Sequence, residues 1–287
     1  MATEISQLIE EGIARIARAS DEPRRDAEIL LAAALEKPRA YLLAHSEERI
    51  LDCEATDRYE ASVTRRAHGE PVAYILGEKE FWSLPLTVGP EVLIPRPETE
   101  LVVELALARL PAGTPARMLD VATGSGAIAL AIADERPQAQ TVGTDISAAA
   151  VAVARRNAGR LGLDNAHFRQ GSWFEPVAGE RFALIAGNPP YIANDDSRVD
   201  PAVHRFEPHG ALYAGATGLE ALRTLVAQAP DHLDPGGWLI VEHGDSQGPA
   251  VRALFEQAGL TEIRTVRDLA GHDRCTEGRQ PGPAAGA

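Results

Sequence analysis

From Arg117 to Arg279 the chain alternates short apolar runs with stretches of helical periodicity. No other feature narrows the fold as far, because strands joined by crossover helices must pair in parallel. The expected strands are Met118–Val121, Gln140–Thr144, Ala166–Arg169, Ala183–Ala186, Trp238–Glu242 and Glu262–Val266, with Arg274–Arg279 returning antiparallel. Ser147 is expected to cap a helix reaching Leu161, since its hydroxyl can accept a first-turn N–H. Open sheets of this kind bind ligands just beyond the carboxyl ends of their strands. The loops after the strands are therefore where the chemistry is expected.

The fourth of these strands ends abruptly in Asn188-Pro189-Pro190-Tyr191. Two consecutive prolines have fixed φ and no N–H, so they leave a stiff corner that presents carbonyl oxygens. Asn188 adds an amide that both accepts and donates, and Tyr191 adds a flat face for stacking. Such a corner suits a planar amino group on an sp² centre, a carboxamide or a base amine. The Asn188 side-chain oxygen and the Pro189 carbonyl can hold both N–H bonds and turn the nitrogen toward an electrophile. An ordinary proline-rich loop is the alternative, weighed at about one to two.

Asp120-Val121-Ala122-Thr123-Gly124-Ser125-Gly126 joins the first strand of the sheet to its helix. Gly124 and Gly126 permit close backbone approach and leave helix-start N–H groups for a carboxylate or phosphate. Asp145 closes the next strand about 20 residues on, where an acid can accept both ribose hydroxyls. The same run fits a dinucleotide loop, since Gly124-Ser125-Gly126-Ala127-Ile128-Ala129 satisfies G-x-G-x-x-G/A. Asp120 favours S-adenosylmethionine, because a carboxylate there meets the methionine ammonium group and repels a pyrophosphate. The acceptor corner at Asn188 favours it too, having nothing suited to hydride transfer. Gly171-Ser172-Trp173-Phe174 sets Trp173 where adenine can lie against it, with core anchoring as the equal alternative. Ile146, beside Asp145, and Ser172, beside Trp173, complete the expected cofactor set.

Residues 1–75 read as a separate helical domain. Ile5, Leu8, Ile9, Ile13 and Ile16 recur at helical spacing, and Ser20-Asp21-Glu22-Pro23 is a helix start. A polar helix is expected over 52–67, and residues 76–95 form a hairpin connector turning at Ser83-Leu84-Pro85. Residues 96–280 form the sheet domain, and 281–287 a disordered tail. Arg96 is either a substrate clamp or an interdomain ion pair, with the two weighed evenly.

The formal net charge is −14, and the helical domain holds ten basic and fifteen acidic residues. That balance argues against broad contact with nucleic acid or anionic lipid. No apolar run is long enough to span a bilayer, and the N-terminus has no signal-peptide core. Two distant cysteines and eight scattered histidines give neither a disulfide framework nor a metal site. A cytoplasmic monomer without a metal is expected.

With these motifs in place, the chain resembles the HemK/PrmC family of release factor glutamine methyltransferases over nearly its whole length. The resemblance is carried by Glu80-Phe81-Trp82-Ser83-Leu84-Pro85-Leu86, by Leu93-Ile94-Pro95-Arg96-Pro97-Glu98-Thr99-Glu100 and by Asn188-Pro189-Pro190-Tyr191. Arg205-Phe206-Glu207-Pro208, Glu242-His243-Gly244 and Asp273-Arg274 add to it. It implies a class I, Rossmann-like α/β fold whose seven-stranded, mostly parallel sheet accompanies a small N-terminal helical domain. It further implies methyl transfer from S-adenosylmethionine to the side-chain nitrogen of the glutamine in the Gly-Gly-Gln loop of class 1 peptide chain release factors, which modulates translation termination. Asn188, Pro189, Pro190 and Tyr191 then hold that glutamine, with Ala122 to Gly126, Asp145, Trp173 and Asn188 lining the cofactor. One departure is Ala122, where the family usually has glycine; alanine fits there if its φ is negative. The nearest rival is an adenine-N6 nucleic-acid methyltransferase, which shares Asn-Pro-Pro-Tyr but needs a basic groove and an extruded base.

Overall fold

The computed structural model describes residues 3–282. They form two compact units, Met1–Glu78 with Asp200–Phe206, and Lys79–Val199 with Glu207–Ala287.

The first unit holds a short pair of antiparallel strands, β1 (Thr3–Glu4) and β2 (Arg49–Ile50). Its helices are α1 (Ile5–Ile16), α2 (Pro23–Ala34), α3 (Arg39–Ala44), α4 (Cys53–Ala67), α5 (Val72–Leu76) and the distant α9 (Pro201–Phe206). Ile5, Leu8, Ile9 and Ile16 form the buried stripe of α1, against Leu30, Leu31, Tyr59 and Val63. Buried Tyr59 satisfies its hydroxyl on the Leu8 carbonyl, at 3.0 Å. Asp52 caps α4 by accepting from the Ala55 N–H at 3.0 Å, so the polar helix starts where a capping carboxylate stands. Residues 200–206, assigned from sequence to the sheet domain, pack with these helices instead, with Arg205 donating to the His68 carbonyl at 3.4 Å.

The second unit opens with the hairpin β3 (Glu78–Phe81) and β4 (Leu84–Thr87). Its turn is Trp82-Ser83, one residue earlier than expected, with φ of +50° and +60°. Neither residue favours that left-handed backbone, which asparagine and glycine usually supply. Trp82 is held in it by two acids: its backbone N–H donates to Glu100 and its indole N–H to Glu135, both at 2.9 Å.

Then follow α6 (Glu100–Arg109), β5 (Arg117–Val121), α7 (Ala127–Glu135), β6 (Gln140–Asp145), α8 (Ala148–Leu161), β7 (Ala166–Gln170) and β8 (Phe182–Gly187). After these come α10 (His209–Leu212), α11 (Glu220–His232), β9 (Leu233–Glu242), α12 (Gly248–Gln257), β10 (Thr261–Arg267) and β11 (Asp273–Arg279). The seven-stranded sheet runs β10-β11-β9-β8-β5-β6-β7, and β11 alone lies antiparallel to its neighbours. Alternate residues of each strand serve opposite faces. Met118, Leu184 and Ile240 join α6, α7 and α8 in one core, whereas Leu119, Ile185 and Leu239 join α11 and α12 in the other. Two covered faces explain why the strands read as unbroken apolar runs.

β9 begins five residues before its expected start. Pro235-Gly236-Gly237 reads as a breaker, yet the strand absorbs it: Phe182 pairs with Leu233 and Leu184 with Trp238, leaving an irregularity between them. The expected tail lies, from residue 283 onward, outside the described residues.

Candidate functional site

The order of the sheet fixes where a ligand can enter. β5 has β6 on one side and β8 on the other, so the chain reverses its direction of travel at the β5–β8 junction. Crevices in open α/β sheets form at such switch points. The last paired residues there are Val121 and Gly187, which brings the loop from Ala122 beside the corner from Asn188. Gly187 makes this possible, because a Cβ there would stand 2.5 Å from the Val121 carbonyl oxygen.

A cavity of about 560 Å³ opens at this point, within the size range of small-molecule sites. Of the expected cofactor residues, Ala122, Thr123, Gly124, Ser125, Asp145, Ile146, Ser172, Trp173 and Asn188 all line it. Arg96 and Pro190 line it as well, together with Thr99, on which no expectation had fallen.

Asp145 is placed by two backbone bonds. Its Oδ1 accepts from the Ser147 N–H and its Oδ2 from the Gly124 N–H, both at 2.9 Å. Each oxygen keeps further lone-pair capacity for a hydroxyl. Burial pushes this carboxyl up from its ordinary range, and the two N–H bonds pull it back. Ser147 meanwhile caps α8, accepting from the Ala150 N–H at 3.1 Å. Trp173 has a left-handed φ of +47° and its carbonyl accepts from Thr144 at 2.9 Å, which ties its loop to β6. Ile146 is 73% exposed at the cavity edge, where a flat apolar ligand can cover it.

The other expected residues stand elsewhere or in an unexpected backbone. Asp120 does not face the cavity: it is fully buried, on the same side of β5 as Met118 and beneath the start of α7. Its Oδ2 accepts from the Thr123 hydroxyl at 2.5 Å and the Ala129 N–H at 3.2 Å, while Oδ1 has no hydrogen-bond partner among the described residues. Desolvation raises its pKa to about 7. It braces the loop from below.

Gly126 does not line the cavity either. It takes φ +85° at the start of α7, and a Cβ there would press on Leu130, Phe168 and Ala154 at 3.0–3.2 Å. Its role is close packing of helix on strand. Ala122 has φ +61°, not the negative value that suits alanine, so the loop keeps a glycine-type backbone without a glycine.

Pro189 and Tyr191 also lie off the cavity wall. Pro189 is buried. Tyr191 offers no free stacking face: its ring packs into the core shared by α11 and α12, and its hydroxyl donates to Glu242 Oε1 at 3.0 Å. Gln247 braces the same residue, donating to the Tyr191 carbonyl at 3.0 Å.

Arg96 is an ion pair inside the second unit. Its guanidinium meets Glu207 at 2.5 Å, and Glu207 also accepts from the Ile94 N–H at 3.2 Å. Thr99, Glu207 and Glu242 are the buried polar residues around the corner for which sequence gave no role. The two acids stand in segments that carried the family resemblance, which was the available signal.

Asn188 donates through Nδ2 to the Thr99 hydroxyl at 3.1 Å, and its Oδ1 has no partner among the described residues. An unclaimed acceptor therefore stands at a rigid corner on the wall that also carries Asp145 and Trp173. The wall thus offers acceptors at Asp145 and Asn188 beside the aromatic Trp173.

Residues 7–77 match the PrmC N-terminal domain and residues 114–267 a methyltransferase domain. The chain is 52% identical over 271 residues to the release factor glutamine methyltransferase of Xylella fastidiosa strain Temecula1, covering 94% of this chain and 98% of that one. It is 53% identical over 260 residues to the release factor glutamine methyltransferase of Yersinia pestis, covering 91% and 93%. Among solved structures, the Thermus thermophilus 16S rRNA N2 G1207 methyltransferase, in complex with AdoMet and guanosine, aligns at a TM-score of 0.52 and 19% identity. That alignment covers 71% of this chain and 49% of the other, and it speaks for the fold.

Proposed function

The chain belongs to the release factor glutamine methyltransferase family, and from that membership we propose that it methylates the N5 amide nitrogen of the glutamine in the Gly-Gly-Gln loop of class 1 release factors, with S-adenosylmethionine as donor. It is a protein-glutamine methyltransferase by domain content and relatives. The observation that carries the finer reading is Asn188, whose unclaimed Oδ1 stands on the cavity wall shared with Asp145 and Trp173.

S-adenosylmethionine supplies a methyl group already activated on a positively charged sulfur. Asp145 accepts the ribose hydroxyls, and Trp173 and Ile146 cover the base. Asn188 Oδ1 accepts an N–H bond of the glutamine amide at the corner that Pro190 completes on the cavity wall. An amide nitrogen is a poor nucleophile because its lone pair is delocalised, so holding it at the right angle is most of the catalysis. Alignment of this kind is worth up to about 7–11 kcal/mol. With the donor bound, its sulfur would release the methyl group and keep the bonding pair, and the nitrogen held by Asn188 would take the methyl and afterwards give up one proton. The helical unit reads the release factor, a task its acidic surface suits better than nucleic acid. No helix among the described residues is long and apolar enough to cross a membrane, and the reading places the enzyme in the cytoplasm with its substrate.

The test is incubation with methyl-labelled S-adenosylmethionine and purified class 1 release factor, followed by peptide mapping. Label on the Gly-Gly-Gln glutamine supports the reading. Label on adenine in duplex DNA, with steep salt dependence, overturns it in favour of the nucleic-acid alternative.

A further inference from the structure

Pro189 and Pro190 carry no N–H, so the corner cannot fasten itself there through donors of its own. Its far end is held from outside. The peptide group between Tyr191 and Ile192 is gripped on both edges. The Ile192 N–H donates to the Leu212 carbonyl at 3.0 Å, and the Tyr191 carbonyl accepts from Gln247 Nε2, also at 3.0 Å. A peptide group is planar, so two opposed bonds fix the direction in which the chain leaves Pro190.

The second grip comes from a side chain. Gln247 stands at the N-cap of α12, yet its side chain makes no capping bond. It turns instead to bridge three loops. Oε1 accepts from the Gly244 N–H at 2.8 Å, just beyond β9. Nε2 donates to the Tyr191 carbonyl and, at 3.4 Å, to the Gly218 carbonyl ahead of α11. The two ends of a glutamine amide are almost the same shape, so its partners decide which end lies where. Here an N–H on one side demands the oxygen, and two carbonyls on the other demand the nitrogen. The Gln247 backbone N–H donates to the Gly244 carbonyl at 2.9 Å, which holds the root of the side chain as well.

Gly218 leaves the space that this contact needs. It takes φ +73°, and a Cβ there would stand 2.4 Å from the Tyr191 carbonyl oxygen and 3.0 Å from Gln247 Nε2.

Building on the function proposed above, we propose that Gln247 is a positioning residue for methyl transfer: by holding the Tyr191 carbonyl it keeps Pro190 and Asn188 in place on the cavity wall. Gln247 itself stands off that wall and touches none of the reacting atoms. It acts through the corner alone.

Two single variants and one double variant test this, each read by methyl transfer to the release factor, donor affinity and melting temperature. Gln247→Met keeps the length and removes both polar ends; kcat is expected to fall about tenfold, the scale of one hydrogen bond. Donor affinity stays within about threefold, because the bond between Gly124 and Asp145 is untouched. Gln247→Glu keeps an acceptor for Gly244 but sets an ionised carboxylate against two carbonyls, so its kcat falls about tenfold or more. Adding Gln247→Met to Asn188→Ala lowers kcat by less than about threefold further, since the corner has already lost the group being aimed. Wild-type kcat in Gln247→Met or in Gln247→Glu overturns the positioning role. So does a full tenfold further loss, about the single-variant effect, in the Asn188→Ala background. A loss of donor affinity as large as the loss of kcat also overturns it, because Gln247 is then a brace of the fold at large. Those results, in a wild type that labels the glutamine, leave the proposed function standing. A wild type that leaves the glutamine unlabelled overturns the function, and the positioning role with it.

Discussion

The Gly124 backbone N–H donates to Asp145 Oδ2 at 2.9 Å, which ties the loop after β5 to the end of β6. One carboxylate thereby shapes the glycine loop and also presents itself to the cavity. Losing it removes a ligand acceptor and loosens the loop together.

Asp145→Ala is expected to weaken S-adenosylmethionine binding by about 10–100-fold, the range for a hydrogen bond to a charged group. Saturating donor restores most of kcat, since the acceptor corner is untouched. Calorimetric titration beside steady-state kinetics checks both halves. Wild-type affinity in the variant contradicts the assignment.

Ala122 sits in left-handed backbone at φ +61°, which costs an L-residue about 1–2 kcal/mol. Glycine relieves that strain and loses part of the gain to unfolded-state entropy, about 0.5–1 kcal/mol. Ala122→Gly is therefore expected to be more stable by roughly 0.5–1 kcal/mol in urea unfolding. A less stable variant shows that the alanine methyl makes contacts worth more than its strain.

Asp120 makes stability depend on pH. Its folded pKa is raised to about 7 by burial, against an unfolded value of about 3.9. Between these values the folded state holds the extra proton, so stability falls as pH rises and the penalty is complete above the folded pKa. At one pKa unit per 1.36 kcal/mol the upper limit is about 4 kcal/mol. Asp120→Asn removes this term, and its melting temperature is expected to exceed the wild type's more at about pH 8 than at about pH 5. Asp145 and Glu242, both shifted upward, leave a residual slope in the variant. Parallel curves for the two proteins contradict the assignment.

The sheet was readable because both of its faces are covered, so its strands appear as unbroken apolar runs such as Ala183–Ala186. Elements that break local rules were not. Trp82-Ser83 turns through left-handed backbone because Glu100 and Glu135 grip the tryptophan, contacts 18 and 53 residues away in sequence. Pro235-Gly236-Gly237 looks like an end of structure, yet it sits inside β9 because β8 pairs on both sides of the irregularity. α11 carries Leu222, Leu225, Val226 and Ala229 at helical spacing, and Pro230 in its last turn hides the pattern.

The site divides the same way. Asp145 and Gly124 followed from spacing along the chain, and both line the cavity. Which way a strand residue points did not follow: Asp120 lies on the α7 side of β5, where it holds the loop from beneath. Thr99 is 89 residues from Asn188, and Glu242 is 51 from Tyr191, so folding alone brings these pairs together.

The account turns on Asn188 as the group that aims the glutamine nitrogen. Asn188→Ala, assayed with release factor and saturating S-adenosylmethionine, measures this most directly. The expected result is a kcat lower by about 100-fold or more, with donor affinity within about threefold of the wild type. Turnover within about threefold of the wild type would contradict the account, because the nitrogen would then find the methyl group without that acceptor.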